Sequence, residues 1–207
     1  AIHCGNSSTK IKGIPADEYP VVPEVEEKHG YTIKTVEFKK ALTQTVLACA
    51  KNEIRPELSG VYFGLFTDYF PGLVLAATDS YRLAEKKLKV EQGQETIKVI
   101  VPGRTIQEIV RLLVLAKGEQ NESNLRLWVS ENQLALRYND FELTTRLIEG
   151  KYPDYAQIIP SSFKTTAVFP VSVMANKIKA ASLFTTLGVN AVSFDLNAAE
   201  NSIAISS

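Results

Sequence analysis

The 207-residue chain is 45% hydrophobic and 22% charged, the balance of an ordinary folded protein with room for one large domain or about one and a half ordinary ones. Its 23 basic and 23 acidic residues cancel, which excludes attachment to nucleic acid by overall charge and leaves only a basic stripe balanced by acid elsewhere. No apolar run approaches the roughly 20 residues of a membrane span, no signal-like segment opens the chain, and Cys4 and Cys49 are too isolated for a disulfide framework or metal site, so a reducing, cytosolic setting is expected.

The chain begins at Ala1 with "AIHC", which reads as the middle of a strand, so it is expected to be a slice through a longer protein. "GIPADEYPVVP" (13–23) follows as a proline-bearing linker, because proline fixes φ and holds its predecessor extended. The same pattern of Gly, acid, aromatic and closing prolines returns in "EGKYPDYAQIIP" (149–160).

Between and after these linkers the sequence repeats itself. "TIKTVEFKKALTQTVLACA" starts at Thr32, "TIKVIVPGRTIQEIVRLLVLA" at Thr96 and "TTAVFPVSVMANKIKAASLF" at Thr165. Each copy is a short alternating strand running directly into a helix. A variable loop and a strand pair follow: "GVYFGLF" with "GLVLAAT", "LRLWVS" with "QLALRY" across the turn Glu131-Asn132, and "AVSFDL" with "SIAIS". Period-two alternation in Leu125/Leu127/Val129 and Leu134/Leu136/Tyr138 marks half-buried strands. A closing strand ("RLAEKKLKV", "FELTTRLIE") completes the first two copies as β-α-β-β-β units. The fold class expected is α+β, with helices on one face of antiparallel sheets. The domains expected are 1–23 (the tail of one domain and a linker), 24–155 (a complete two-unit domain) and 156–207 (a linker and the first half of a third).

The first helix should bury Phe38, Ala41, Leu42, Thr45, Val46 and Cys49, the second Ile106, Ile109, Val110 and Leu113, and the third Val171, Met174, Ile178 and Ala181. The opposite faces are basic: Lys39, Lys40 and Lys51 on or just after the first helix, Arg104 and Arg111 on the second, Lys177 and Lys179 on the third. A solvated face is the bland explanation for any one helix. The recurrence of one sign in three copies points instead to an electropositive track suited to phosphates. Aromatics do not interleave with these cations, so no base-stacking platform is indicated.

Catalytic chemistry is not legible. His3 and His29 have no metal-ligand spacing, no phosphate-cradling glycine loop or nucleophile elbow occurs, and Asp17, Glu18, Asp68, Asp79, Asp140 and Asp154 are single acids in turns or linkers. The chain reads as a non-enzyme with no cofactor and no metal.

"LAATDSYRLA", "VIVPGRTIQEIVRLL" and "LWVSENQLALRYNDFELTTRLIEGKYPDY", in this order and spacing, resemble the bacterial beta sliding clamp family of DNA polymerase III. The resemblance covers the whole chain, from the last hairpin of the family's first domain to the middle of its third. It implies a DNA clamp fold and, at full length, a head-to-tail homodimeric ring whose helices line a hole around duplex DNA. Duplex DNA, held without sequence preference, is the first partner implied. Polymerase, clamp loader and repair proteins are the others, docking short linear peptides; no membrane is involved.

Carried over position by position, the peptide-binding groove would comprise Leu58, Thr78, Ser80, Tyr81, Arg82, Leu83, Pro153, Gln157 and Ile158. The DNA-facing set would be Lys39, Lys40, Lys51, Arg55, Arg104 and Arg111. Many family members carry Gly-His where this chain has Ser80-Tyr81, and a basic residue at Gln157. The family's groove is also completed by its extreme C-terminal strand, so this stretch is expected to own only part of the pocket. A peptide-docking adaptor on the same fold that never encloses DNA is the competing reading.

Overall fold

The structure is a computed structural model that describes residues 1–19, 30–51, 54–115, 123–185 and 191–207. Pro20, Pro23 and His29, and with them the expected first domain boundary, lie outside the described residues. The chain forms two compact units, Ala1–Pro153 and Asp154–Ser207.

The first unit opens with a solvent-exposed hairpin of β1 (Ile2–Cys4) and β2 (Ser7–Thr9), followed by a 3-10 turn at Ala16–Glu18. The first repeat is β3 (Gly30–Lys34), α1 (Thr35–Thr45), β4 (Gly60–Thr67), β5 (Phe70–Thr78) and β6 (Leu83–Leu88). The second is β7 (Ile97–Pro102), α2 (Gly103–Leu115), β8 (Asn124–Val129), β9 (Gln133–Tyr138) and β10 (Phe141–Arg146). In both repeats the helix begins at the residue after the strand. Gly103 makes this possible in the second: a Cβ there would lie 2.7 Å from the Ser59 carbonyl oxygen, to which the Gly103 N–H donates at 3.1 Å.

The two repeats are interlocked through their opening strands. One sheet runs β6-β5-β4-β7 and the other β10-β9-β8-β3, both wholly antiparallel. Each opening strand therefore pairs with the second strand of the other repeat, Lys34 opposite Asn124 and Pro102 opposite Gly60. Helices α1 and α2 contact each other, and one core receives side chains from both helices and both sheets. Phe38, Leu42, Phe63, Leu75, Ile106, Ile109, Leu127 and Leu136 are completely buried in it, each contributing about 1.5–3 kcal/mol of apolar transfer. Phe38 meets Phe63 edge to face at 6.2 Å between ring centroids. The expected stripes on both helices are buried or half-buried, with Val46, Cys49 and Val110 at the margin.

The second unit holds a 3-10 turn at Tyr155–Ile158, α3 (Val171–Ser182), and a hairpin of β11 (Ser193–Asn197) with β12 (Ser202–Ser206). Two expectations fail here. "TTAVF" forms no strand, and Val171, expected inside, is 79% exposed. Met174, Ile178 and Ala181 reach only intermediate burial. The physical reason is visible in the first unit, where an opening strand is stabilised by the ladder of a different repeat. The third repeat has no such ladder beside it among the described residues.

Candidate peptide groove and nucleic-acid face

The loop that carries most of the groove candidates joins β5 to β6, between the opposed residues Thr78 and Leu83. It is a self-bonded turn. The Asp79 Oδ1 accepts the backbone N–H groups of Tyr81 (3.1 Å) and Arg82 (3.0 Å), and its Oδ2 accepts the Arg82 Nε–H at 3.1 Å. The Thr78 hydroxyl donates to the Arg82 carbonyl at 2.7 Å and accepts the Ser80 N–H at 3.1 Å. Partial burial pushes the Asp79 carboxyl up, but the hydrogen bonds from Tyr81 and Arg82 and the adjacent guanidinium outweigh it and hold the group below the ordinary aspartate range. Asp79 is thus the organising residue of a turn whose other members were the candidates.

This turn sets the presentation of its neighbours. Ser80 is held at φ +77°, in the left-handed region that favours glycine, which gives a physical account of the glycine common there in the resembling family. Tyr81 is 98% exposed and projects fully into solvent. Leu83 is half-buried at the start of β6, and Thr78 is buried behind it.

Leu58 departs from expectation. It is 3% exposed, at the end of a 3-10 turn over Pro56–Leu58, so it belongs to the packed floor and not to an open wall. Beyond β10, the Ile148 N–H donates to the Ile100 carbonyl at 2.9 Å, leading the chain across to the first sheet. Tyr152 is then buried with its ring 5.3 Å from that of Tyr62. Burial, chiefly, raises the Tyr152 phenol, partly offset by a hydrogen bond with the Thr78 backbone, while Cys49 and Glu57 raise it further. Tyr152 therefore anchors the segment carrying half-buried Pro153 beside Thr78 and the turn that holds Leu58. Tyr62, Tyr152 and Asp79 were missed as site-building residues. The signal available for Tyr152 was an aromatic fixed immediately before a proline in the echoed linker.

Gln157 and Ile158 lie in the second unit. The Gln157 side-chain amide donates to Asp154 Oδ2 at 2.7 Å, and Ile158 is 69% exposed.

The cationic candidates divide into two kinds. Arg55 is paired with Glu57 at 2.9 Å, and Arg111 with Glu108 through its Nε at 2.9 Å. Lys40, Lys51 and Arg104 are exposed, Lys39 is half-exposed, and none of the four has an acidic partner among the described residues. Arg104 sits in the first turn of α2, where the aligned peptide dipoles disfavour a cation and favour an anion. The touching helices α1 and α2 therefore each carry a cation, such as Lys40 and Arg104, without an acidic partner among the described residues.

Among the described residues no three His, Cys, Asp or Glu side chains gather to hold a metal ion, and no helix is long and apolar enough to cross a membrane. Burial pushes the Cys49 thiol up to about 11, which leaves it protonated and unreactive at neutral pH.

Residues 32–154 match the central domain of the DNA polymerase III beta subunit. The chain belongs to that family. The beta sliding clamp of Halalkalibacterium halodurans is 32% identical over 194 residues, covering 92% of this chain and 49% of the relative. The crystal structure of the Bacillus subtilis DNA polymerase sliding clamp superposes with a TM-score of 0.83 at 33% identity, covering 94% of this chain and 49% of that one. That of the Streptococcus pyogenes DNA polymerase beta subunit gives a TM-score of 0.83 at 25% identity, with 97% and 52% covered. The α+β fold of strand-exchanged antiparallel sheets is thus the DNA clamp fold. This chain spans about half the length of the clamps it matches.

Proposed function

We propose that this chain is part of a processivity clamp, a non-catalytic protein that encircles duplex DNA in the cytoplasm and tethers a polymerase and other replication and repair proteins through a peptide groove. In this reading residues 1–23 close one clamp domain, 24–155 form the central one and 156–207 begin a third, and the full-length protein closes as a head-to-tail homodimer. The observation that carries the proposal is the pairing of membership in the beta subunit family with the cations Lys39, Lys40 and Arg104 on α1 and α2, which have no acidic partner among the described residues. Lys39, Lys40, Lys51 and Arg104 are the principal DNA-facing groups. Arg55 and Arg111 contribute only by exchanging their carboxylate partners for phosphate. Contacts of this kind position DNA without reading it, so the duplex slides.

The groove reading rests on the Asp79-centred turn. Leu83 and Pro153 supply apolar walls, with Leu58 and Thr78 as the floor beneath and Ser80 shaping the turn. Tyr81 and Arg82 offer polar handles at the rim. The peptide-docking adaptor that never encloses DNA is the alternative, and these cations of α1 and α2 favour the clamp over it.

Two titrations separate these readings. Short duplexes of different sequence should bind this chain weakly and equally, with a log–log salt slope of about −0.9 per phosphate contact. Lys40→Glu with Arg104→Glu should flatten that slope, and an unchanged slope refutes the DNA face. In fluorescence polarisation with the full-length protein, Leu83→Ala should weaken a polymerase-derived clamp-binding peptide by about 2 kcal/mol, roughly thirtyfold, and by less in this chain alone. Equal affinities, with folding confirmed by circular dichroism, would reduce the turn to a connection.

A further inference from the structure

The residues buried in the first unit do not all belong to its central core. Val74, Ala76, Ile100 and Tyr152 are each at most 8% exposed, yet none joins the core shared by the helices and both sheets. Register explains the separation. Leu73, Leu75 and Ala77 of β5 point into that core, so Val74, Ala76 and Thr78 point to the outer face of the sheet. Tyr62, opposite Ala76, and Ile100, opposite Tyr62, share that outer face.

The outer face of an antiparallel sheet commonly meets water. Here the chain beyond β10 crosses it. Residues 147–153 form no helix or strand; the Leu147 N–H donates to the Asn132 carbonyl and the Ile148 N–H to the Ile100 carbonyl, both at 2.9 Å. Ile148 lies so near Gly60 that a Cβ there would come within 2.9 Å of its Cδ1. Gly150, at φ +131°, carries the chain past Glu57. Tyr152 then stacks on Tyr62, with 5.3 Å between ring centroids and 30° between planes. The Tyr62 ring is itself laid over Gly64, where a Cβ would meet its Cε1 and hydroxyl oxygen at 2.8 Å. A strap thus closes a second, smaller core, and the ring pair fastens it.

The groove candidates border this outer core and not the central one. Leu58 is 3% exposed, lies outside the central core and adjoins Glu57, which the strap passes. Thr78 stands two residues beyond Ala76 on the same face, and Pro153 follows Tyr152 directly.

We propose that residues 147–153 are a latch for the peptide groove and that Tyr62 and Tyr152 are its positioning residues: peptide binds with full affinity only while the rings are stacked and the strap is seated. The inference rests on the groove reading above and adds a regulating element to that site. Both tyrosines act through Pro153 and Thr78. Apparent affinity then scales with the seated fraction, and by reciprocity bound peptide must hold the strap closed.

The test is a fluorescence-polarisation titration of a polymerase-derived clamp-binding peptide against the full-length protein and its variants, with amide exchange alongside. Tyr62→Ala should lower the seated fraction to about a tenth and so weaken the peptide about tenfold. Tyr152→Ala should do the same, and the double variant no more than either, since one stack is lost in all three. Tyr152→Phe keeps the ring and should bind within about twofold of the unmodified protein. Gly64→Ala, whose nearest contact is the Tyr62 ring, should weaken the peptide by displacing that ring. In amide exchange Ile148 should open faster in Tyr62→Ala and more slowly with peptide bound, while Leu127 and Leu136 of the central core keep their protection. A peptide weakened by Leu83→Ala but indifferent to Tyr62→Ala and Gly64→Ala overturns the latch and leaves the groove standing. A peptide indifferent to Leu83→Ala removes the groove and the latch with it. Additive losses in the double variant, or an unchanged Ile148 exchange rate in Tyr62→Ala, also overturn the latch.

Discussion

Helices α2 and α3 each begin directly after a proline, Pro102 and Pro170, and carry an apolar stripe at helical spacing. Yet α2 follows a laddered strand and buries Ile106 and Ile109 completely, while α3 follows no strand and buries nothing fully. The difference lies in what faces them. Around α2 the opening strands of two repeats are exchanged, and both helices and both sheets share one core. Around α3 the described residues supply a single hairpin. Amphipathic spacing thus specifies which face would be buried, while burial itself belongs to the pair of repeats.

The largest effect expected from this contrast is in the cores. Phe38→Ala removes a completely buried ring and should cost about 3–5 kcal/mol, whereas Phe184→Ala, 79% exposed, should change monomer stability by less than about 0.5 kcal/mol. Urea unfolding followed by the fluorescence of Trp128, the one tryptophan and buried in the first unit, measures the former. Far-UV circular dichroism, which sums the signal of α1, α2 and α3, follows the latter. Comparable losses would mean that the third repeat is as well packed as the first two.

The hairpin turns are predicted to differ far less, because both are held by local bonds. The Asn197 Oδ1 accepts the N–H groups of Ala199 and Glu200 just as Asp79 accepts those of Tyr81 and Arg82. Each turn also places one non-glycine residue at positive φ, Ser80 at +77° and Asn201 at +48°. Asparagine tolerates that conformation better than serine, so Ser80→Gly should stabilise by about 1 kcal/mol and Asn201→Gly by about half as much or less. Thermal melts of the two variants rank them, and a greater gain at Asn201 would reverse the reading.

The smallest effect distinguishes a carboxylate from an amide. The Asp79 pKa is depressed, so its contribution is complete above the unfolded value near 3.9 and is lost as pH falls through the lower folded value. The Asn197 turn has no titrating oxygen. Amide exchange or chemical shifts of Tyr81 and Arg82 should therefore respond only as pH falls below the ordinary aspartate value of about 3.9, while those of Ala199 and Glu200 stay level. Asp79→Asn should remove the response and keep the turn.

Much of this molecule was legible in residue spacing. The first two repeats, the α1 and α2 stripes and the strands β3 to β10 follow from periods of two and 3.6, because local backbone geometry and side-chain direction are set within a few residues. The turn "TDSYRL" was legible as a turn for the same reason, since aspartate bonds its own backbone two and three residues on. Spacing gave no sign that each opening strand serves the other repeat, because a ladder joins residues such as Gly30 and Trp128 whose pairing depends on chain topology. Leu58 was unreadable as floor or wall, and Tyr152 as an anchor, since burial there depends on a segment returning from beyond β10. The cations divide along the same line: their number on the helix faces is written in the sequence, but which of them keep their charge unmatched depends on where the tertiary fold sets each side chain relative to an acid. Arg55 and Arg111 find Glu57 and Glu108 within reach, and Lys40 and Arg104 find none among the described residues, because a charge is neutralised by distance in space and not by count along the chain.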